Sequence, residues 1–418
     1  MEGCQEKTHF PVIILGGGIH GVGVAHDLAT RHIESLVLEK TTVGMGTSSK
    51  STKLIHGGLR YLENFRDFSL VAEALRERKL LSELLPDLVK PVELLFPVSK
   101  LGGLPPWKVK IGLGLYDFLA GKNARIQPFS EVSLEEARAR VPVLDTQKFK
   151  RIFSFWDAQT DDLALTQRVA VSAQHLGATI KCGSDVLSLE DRGDHWGITV
   201  KHDDLSGTKT YTSTLVVNCL GPWAGAFLEK SGLPQQYRGV NNKGTHIVLQ
   251  DFGLKAGIFI QSPADGRVVF LLPWQGYTLL GTTEDLYQDE PDKVAPTAHE
   301  VEYLLSRSSS YLTMNLTERD ILYAFSGLRW LAAENDRSLT RLSRSYHLDI
   351  LSRNKKALMT LYGGKLTTYR STSEDISSQI CRFLNVSKDS LTGTPEAWFG
   401  QNTKSPGVDN RFVRYSGS

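Results

Sequence analysis

The chain has 418 residues, enough for a large core and for two domains rather than one. Its apolar fraction of 41% and charged fraction of 22% are those of a soluble globular protein. A net charge of +2 is near balance and argues against a nucleic-acid binder, which concentrates a basic excess. Cys4, Cys182, Cys219 and Cys381 stand too far apart for zinc-ligand spacing, so no metal is expected. They read as small buried apolar side chains in a reducing compartment. "MEGCQEKTHF" has no secretory apolar run, and nothing approaches the ~20 apolar residues of a membrane-spanning helix. The expected location is cytoplasmic, with peripheral membrane attachment left open.

In chain order, "PVIIL" is a short, wholly apolar run, as a buried parallel strand requires. "GGGIHG" follows with Gly16, Gly18 and Gly21 in G-x-G-x-x-G spacing, then a helix, then "ESLVLEK" ending at Glu39. Gly16 permits the tight turn, Gly18 lets backbone approach a pyrophosphate, and Gly21 allows close helix–strand packing. The helix N-terminus offers N–H groups to the phosphates, and Glu39 is placed to accept ribose hydroxyls. Strand, glycines, helix, strand and acid together point to an adenine dinucleotide.

Next comes "SSKSTKLIHGGLRYLENF", which crowds hydroxyls, cations, a histidine and a glycine pair into one stretch. "FSLVAEALRERKLLSELLPDLV" reads as an amphipathic helix, and "LGGLPPWK" as punctuation. "SLEEARARVP" is helical, with Ser133 as its cap. "DDLALTQRVAVSAQHLGA" is a helix ending at Gly177, and the segment after it alternates like strands joined by a turn. "STLVVNCLGPWAGAF" is a buried strand, a turn and a helix. Residues 243 to 285 are strand-rich and suggest an antiparallel sheet. A helix follows near 298 to 312, then strand, glycine turn and helix through "LMTLYGGKLTTYRSTSEDI". The last residues are polar and rich in Gly, Ser and Pro, as a poorly ordered tail would be.

Four glycine-bearing segments, "GGGIHG", "STKLIHGGLRYL", "CLGPWAG" and "YGGKLTTYR", lie far apart in sequence. A long dinucleotide with an isoalloxazine needs several loops along it, which favours FAD over NAD. The sequence resembles the FAD-dependent glycerol-3-phosphate dehydrogenases, among the D-amino-acid-oxidase-like flavoproteins. The resemblance rests on "IILGGGIHGVGVAHDLA", "TSSKSTKLIHGGLRYLENF", "WDAQTDDLALT", "NCLGPWA", "KGTHIVL", "LLPWQGYTLLGTTEDLY", "FSGLRWL" and "LYGGKLTTYR", in family order over roughly residues 10 to 375.

The resemblance implies an α/β fold: a Rossmann-like FAD-binding domain with a second, antiparallel-sheet substrate domain. It divides the chain into 1–95, 150–235 and 325–390 for FAD, 96–149 and 236–324 for substrate, and 391–418 as a tail. It implies oxidation of sn-glycerol 3-phosphate to dihydroxyacetone phosphate, with hydride transfer from C2 to flavin N5 and electrons passed to a quinone or another acceptor. By the same resemblance His246 is the base, its ordinary pKa of ~6.5 suiting the role, and Arg329 steadies the developing alkoxide. A small phosphorylated polyol would meet Arg60, Tyr61, Thr282 and Lys365, since a dianion needs fixed cations. Besides the fingerprint residues, FAD would be lined by Ile19, His20, Lys40, Thr47, Ser48, Ser49, Lys53, Leu54, His56, Gly57, Gly58, Val186, Gly221, Trp223, Gly327, Gly364, Leu366 and Thr367. The hydroxyls of Thr47, Ser48 and Ser49 could instead cap a helix.

Two departures stand out. Family members continue into a helical C-terminal domain that this sequence reads as lacking, and Trp330 stands where they typically carry proline. Three alternatives stand beside this reading: a related FAD-dependent dehydrogenase or oxidase of another small 2-hydroxy or amino acid, a non-catalytic flavin-binding partner protein, and an NAD-dependent dehydrogenase. A homo-oligomer stays open.

Overall fold

The computed structural model describes residues 7–59, 68–100, 104–121, 125–261, 265–333, 345–353, 355–400, 412 and 414–415. The chain begins with β1 (Val12–Leu15), α1 (Ile19–Thr30), β2 (Ser35–Leu38), β3 (Leu54–Ile55), α2 (Phe68–Leu84), β4 (Val89–Ser99), α3 (Pro106–Ala120), β5 (Ser130–Val132) and α4 (Leu134–Arg140). It continues through β6 (Phe149–Thr160), α5 (Asp162–His175), β7 (Thr179–Lys181), β8 (Ser184–Asp191), β9 (Trp196–His202), β10 (Thr208–Ser213), β11 (Leu215–Asn218) and α6 (Ala224–Lys230). The last elements are β12 (Gly239–Leu249), β13 (Gly257–Gln261), β14 (Val268–Trp274), β15 (Tyr277–Gly281), β16 (Asp285–Tyr287), α7 (Ala298–Ser309), β17 (Ile321–Ala332), β18 (His347–Arg353), β19 (Lys356–Tyr362) and α8 (Tyr369–Leu384).

The first sheet runs β18-β19-β11-β1-β2-β7, parallel except where β18 meets β19. Its strands β1, β2, β11 and β19 are buried at every position because both faces are covered. Val12 and Ile14 of β1 pack with Leu28 of α1 and Ile376 of α8. Ile13 and Leu15 point the other way, toward Trp196 and Ile198 of the β10-β9-β8 sheet. This is the Rossmann-like layer that the sequence implies.

The second sheet is mostly antiparallel and runs β16-β12-β15-β14-β13-β4-β6-β3, with β17 paired to β12 and β5 to β6. Alternation along β12 sorts its residues to two sides. Ile247 and Leu249 join Val301 and Leu304 of α7 on one side. Val248 joins Leu113 of α3, Leu272 and Phe325 on the other.

Four points differ from the sequence reading. Strands β4, β6 and β17 lie in the second sheet and cross the boundaries expected at 95, 150 and 325. Paired strands of one sheet need not be neighbours in sequence, so local composition does not mark such a boundary. Helix α3 was not expected, because "PWKVKIGLGLYDFLA" carries two helix-weakening glycines and apolar residues all round. Residues 391–400, expected as loose tail, are packed. Trp398 sits edge-on to His26, whose Nε2 lies 2.7 Å from the Ala397 carbonyl, and Phe399 stacks on His175. Cys219 and Cys381 are buried as expected, whereas Cys182 is exposed at the turn after β7, and Cys4 lies outside the described residues.

Candidate active site

The turn between β1 and α1 has no room for side chains. Gly16 has a φ of 97°, and a Cβ there would come within 2.8 Å of the Cys219 carbonyl oxygen. A Cβ on Gly21 would overlap the Gly16 carbonyl oxygen. Gly18 is the N-cap of α1 and has no side chain with which to cap it. Ser48 reaches this end and accepts from Ile19 N–H at 2.9 Å. At the tip of β2, Glu39 accepts from Gly17 N–H at 2.7 Å and from Thr41 N–H at 2.9 Å. The His20 Nε2 is enclosed without a partner among the described residues, and burial lowers the ring pKa to about 4.

The segment 47–58 passes from this turn to the second sheet. Thr47–Ser49 form one 3-10 turn, with the Thr47 hydroxyl on the Leu328 carbonyl of β17. Lys53 is 0% exposed, as is Asp162 at the start of α5. The Lys53 ammonium donates to both Asp162 oxygens at 2.8 Å and to the Ser49 carbonyl at 2.7 Å. Asp162 also accepts from the Ser51 N–H and hydroxyl. Further along, Gly57 N–H donates to the Tyr116 hydroxyl of α3, which donates to Asp157 beside Arg78. Burial raises both the Asp157 and the Tyr116 pKa, with Arg78 opposing the rise. Gly58 takes a φ of 80°, and His56 N–H reaches the Thr367 hydroxyl at 3.2 Å. Segment 56–58 thus meets the glycine turn of Gly363 and Gly364, both at positive φ.

Beyond this loop lies β12. The alternation that sends Thr245 to Glu300 of α7 sends Asn242, Gly244 and His246 to the opposite face. His246 is 2% exposed, its ring stacked on Phe325 of β17 at 5.0 Å. A Cβ on Gly281 of β15 would overlap that ring, so only glycine admits it. Nε2 lies 2.9 Å from the Thr52 hydroxyl, while Nδ1 is enclosed with no partner among the described residues. Burial first, then the charges of Lys53 and Arg329, lower the ring pKa to about 3. Arg329, opposite Asn242 in register, is exposed, and Lys365 is half-buried just after Gly364. The Thr282 hydroxyl reaches the Thr283 carbonyl at 3.0 Å, close above Gly244.

The expected site residues therefore divide. Gly16, Gly18, Ile19, His20, Gly21, Glu39, Ser48 and Gly364 surround one helix end, and His246, Arg329 and Thr282 share one face of the second sheet. The Lys53 ammonium is buried on Asp162, and the Ser49 hydroxyl reaches the Met45 and Gly46 carbonyls, so both side chains brace the loop. Lys40 is exposed and lies 4.0 Å from Asp185, next to Val186 of β8. Gly327 allows β17 to lie against Lys50, and Leu54 is buried in β3. Gly221 turns at a φ of 58° and leads to Trp223, whose indole donates to Asp292. Leu366 packs under α1, and Thr367 is buried against His56. Arg60 and Tyr61 lie outside the described residues. The sequence reading missed Thr52, Asp162 and Phe325. A signal existed for Asp162: of the two adjacent aspartates, Asp161 caps α5, which leaves the other for a separate task.

The arrangement fits FAD: a glycine cradle that a Cβ would fill, a helix end whose N-cap is glycine, an acid at the tip of β2, and an orphaned His20 nitrogen. The Gly16–Glu39 unit would hold the adenosine and pyrophosphate, and segments 56–58 and 363–367 would hold the distal part.

Comparison with known proteins agrees. The family described as FAD dependent oxidoreductase, DAO, matches residues 11–370. A D-erythritol 1-phosphate dehydrogenase of Brucella abortus is 34% identical over 371 residues, covering 88% of this chain and 73% of the relative. A glycerol-3-phosphate dehydrogenase of Synechocystis sp. is 33% identical over 404 residues, covering 90% and 70%. The solved glycerol-3-phosphate dehydrogenase of Bacillus halodurans, complexed with FAD, superposes with a TM-score of 0.74 at 24% identity, covering 93% of this chain and 68% of that one, a likeness of fold.

Proposed function

The chain belongs to the DAO family of FAD dependent oxidoreductases, and from that premise we propose that it oxidises sn-glycerol 3-phosphate to dihydroxyacetone phosphate and passes the electrons to a quinone or another acceptor. FAD is its cofactor. When bound, FAD supplies a two-electron sink for the C2 hydride at N5. The residues of the chain do the rest. Burial keeps His246 neutral, and its Nδ1, without a partner among the described residues, carries the lone pair that takes the hydroxyl proton. Arg329 and Lys365 offer cations to the phosphate and to the oxygen that loses its proton.

One observation carries the reading: a buried histidine whose Nδ1 has no partner among the described residues, on the same sheet face as the exposed Arg329. A phosphate dianion beside the exposed Arg329 offsets that charge and makes the ring more basic as it binds. The site is thus best matched to an anionic alcohol. The relative named for D-erythritol 1-phosphate favours a second reading, a four-carbon polyol phosphate. Anaerobic flavin bleaching by sn-glycerol 3-phosphate, erythritol 1-phosphate, glycerol and a free 2-hydroxy acid separates these. The proposal expects bleaching by glycerol 3-phosphate; bleaching by the unphosphorylated compounds alone would overturn it.

Among the described residues no helix is long and apolar enough to cross a membrane. Peripheral contact is assigned to α3. At ~100° per residue, Trp107, Ile111 and Phe118 fall on one stripe between Lys108 and Lys110, opposite the buried Val109, Leu113 and Tyr116. Trp107 is 59% and Phe118 81% exposed. An apolar stripe between lysines suits an anionic lipid surface, where a quinone is available. Sedimentation with anionic vesicles, lost in Phe118→Glu, is the expected result; equal sedimentation of the variant would remove this assignment.

A further inference from the structure

We infer that Thr52 is a positioning residue for His246, setting the orientation of its ring and the nitrogen that carries its proton. This rests on the role of His246 proposed above. The Thr52 hydroxyl lies 2.9 Å from Nε2, and Nδ1 has no partner among the described residues. A buried N–H without an acceptor costs more than a buried lone pair without a donor. The proton of the neutral ring therefore sits on Nε2, donated to the Thr52 oxygen, and the lone pair sits on Nδ1. When Nδ1 takes the hydroxyl proton, the cation that forms keeps the same Nε2–H to Thr52 bond, and that bond strengthens with the charge.

Thr52 is placed for this by its two neighbours. Ser51 is tied to Asp162 through its N–H at 3.0 Å and its hydroxyl at 2.7 Å. Lys53 is tied to the same carboxylate, and its N–H donates to the Ser51 hydroxyl at 3.0 Å. Lys53 also holds a φ of 62°, in the left-handed region that costs a residue with a Cβ some energy. Such a conformation persists where surrounding contacts over-determine it, and here a fully buried ion pair does so. The strain has a local outcome: it turns the chain so that Thr52, between two anchored residues, faces β12. Phe325 and Gly281 crowd the ring, and Thr52 is its one hydrogen-bond partner among the described residues.

The test is anaerobic reduction of the FAD-loaded enzyme by glycerol 3-phosphate, or by whichever phosphorylated polyol bleaches it, normalised to bound flavin. Thr52→Val removes the hydroxyl and keeps the shape, with Thr52→Ala beside it in case valine impairs folding. Both are expected to slow reduction by ~10- to 100-fold with the substrate constant changed less than about 3-fold, and Thr52→Ser to recover to within about 3-fold of wild type. His246→Asn is run in parallel. If it is slow while Thr52→Val and Thr52→Ala keep the wild-type rate, this inference fails and the reading of His246 stands. Thr52→Ser as slow as Thr52→Val also overturns it. If His246→Asn reduces flavin at the wild-type rate, the reading of His246 fails and this inference with it.

Discussion

Gly16, Gly18, Gly21 and Glu39 all lie inside one β1–α1–β2 unit, whereas Thr52, His246, Gly281 and Arg329 come from four separate segments. The first group is held by its own neighbours in sequence, with Glu39 on Gly17 and Gly21 on the Gly16 carbonyl. The second group exists only through strand register. His246 stands opposite Phe325 on β17 and Gly281 on β15, and Arg329 stands opposite Asn242. A cofactor cradle built locally should fail only where its own residues are replaced. A face assembled across a sheet, here the one proposed to carry the catalysis, should also fail when a distant clamp is released.

The largest expected effect tests the local half. Gly21→Val forces a side chain into the Gly16 carbonyl oxygen, and the purified variant should carry no flavin by its absorbance near 450 nm. Retained flavin would mean that the turn does not cradle the dinucleotide. Next comes the assembled half alone. His246→Asn should keep its flavin yet lower the rate of anaerobic reduction by ~10² to 10⁴, the range of a general base.

Releasing the clamp ranks third. Asp162→Leu strands the buried Lys53 ammonium and should cost ~3–5 kcal/mol in denaturant unfolding, with slower flavin reduction although Asp162 does not touch His246. Lys53→Met combined with Asp162→Leu should recover much of the stability, because no unpaired charge remains buried. Slow reduction persisting in that double variant would tie the clamp to loop placement and not to stability alone.

The smallest effect is on pH and spans both halves. His20 and His26 have pKa values near 4 and His246 near 3, all lowered chiefly by burial, against ~6.5 in the unfolded chain. Their stabilising contribution is complete above ~6.5. As pH falls below that, the unfolded chain takes up protons that the folded one refuses, so stability declines. The expected slope is on the order of 1 kcal/mol per histidine per pH unit below ~6, measured by denaturant unfolding between pH 7 and 5. His26→Gln should flatten it; an unchanged slope would mean that His26 titrates alike in both states.

The sequence carried much of this. Apolar strands, the glycine fingerprint, the helix capped at Ser133, and the antiparallel character of residues 243–285 were legible because each depends on near neighbours. His246 and Arg329 were legible only through resemblance, since a lone histidine on a strand carries no local mark of its task. The domain boundaries were less legible, because β4, β6 and β17 pair across long stretches of chain.

Lys53 shows where reading stops. In sequence it is a lysine in a polar loop, open to a phosphate. In the fold it is sealed against Asp162, and its left-handed backbone turns Thr52 toward a histidine on another sheet strand. The sequence by itself determined the dinucleotide cradle, because steric demands within one turn admit only glycine there. The partner of His246 was decided by the tertiary structure alone, because a hydrogen bond between residues 52 and 246 is set by strand register and buried charge, which have no local signature.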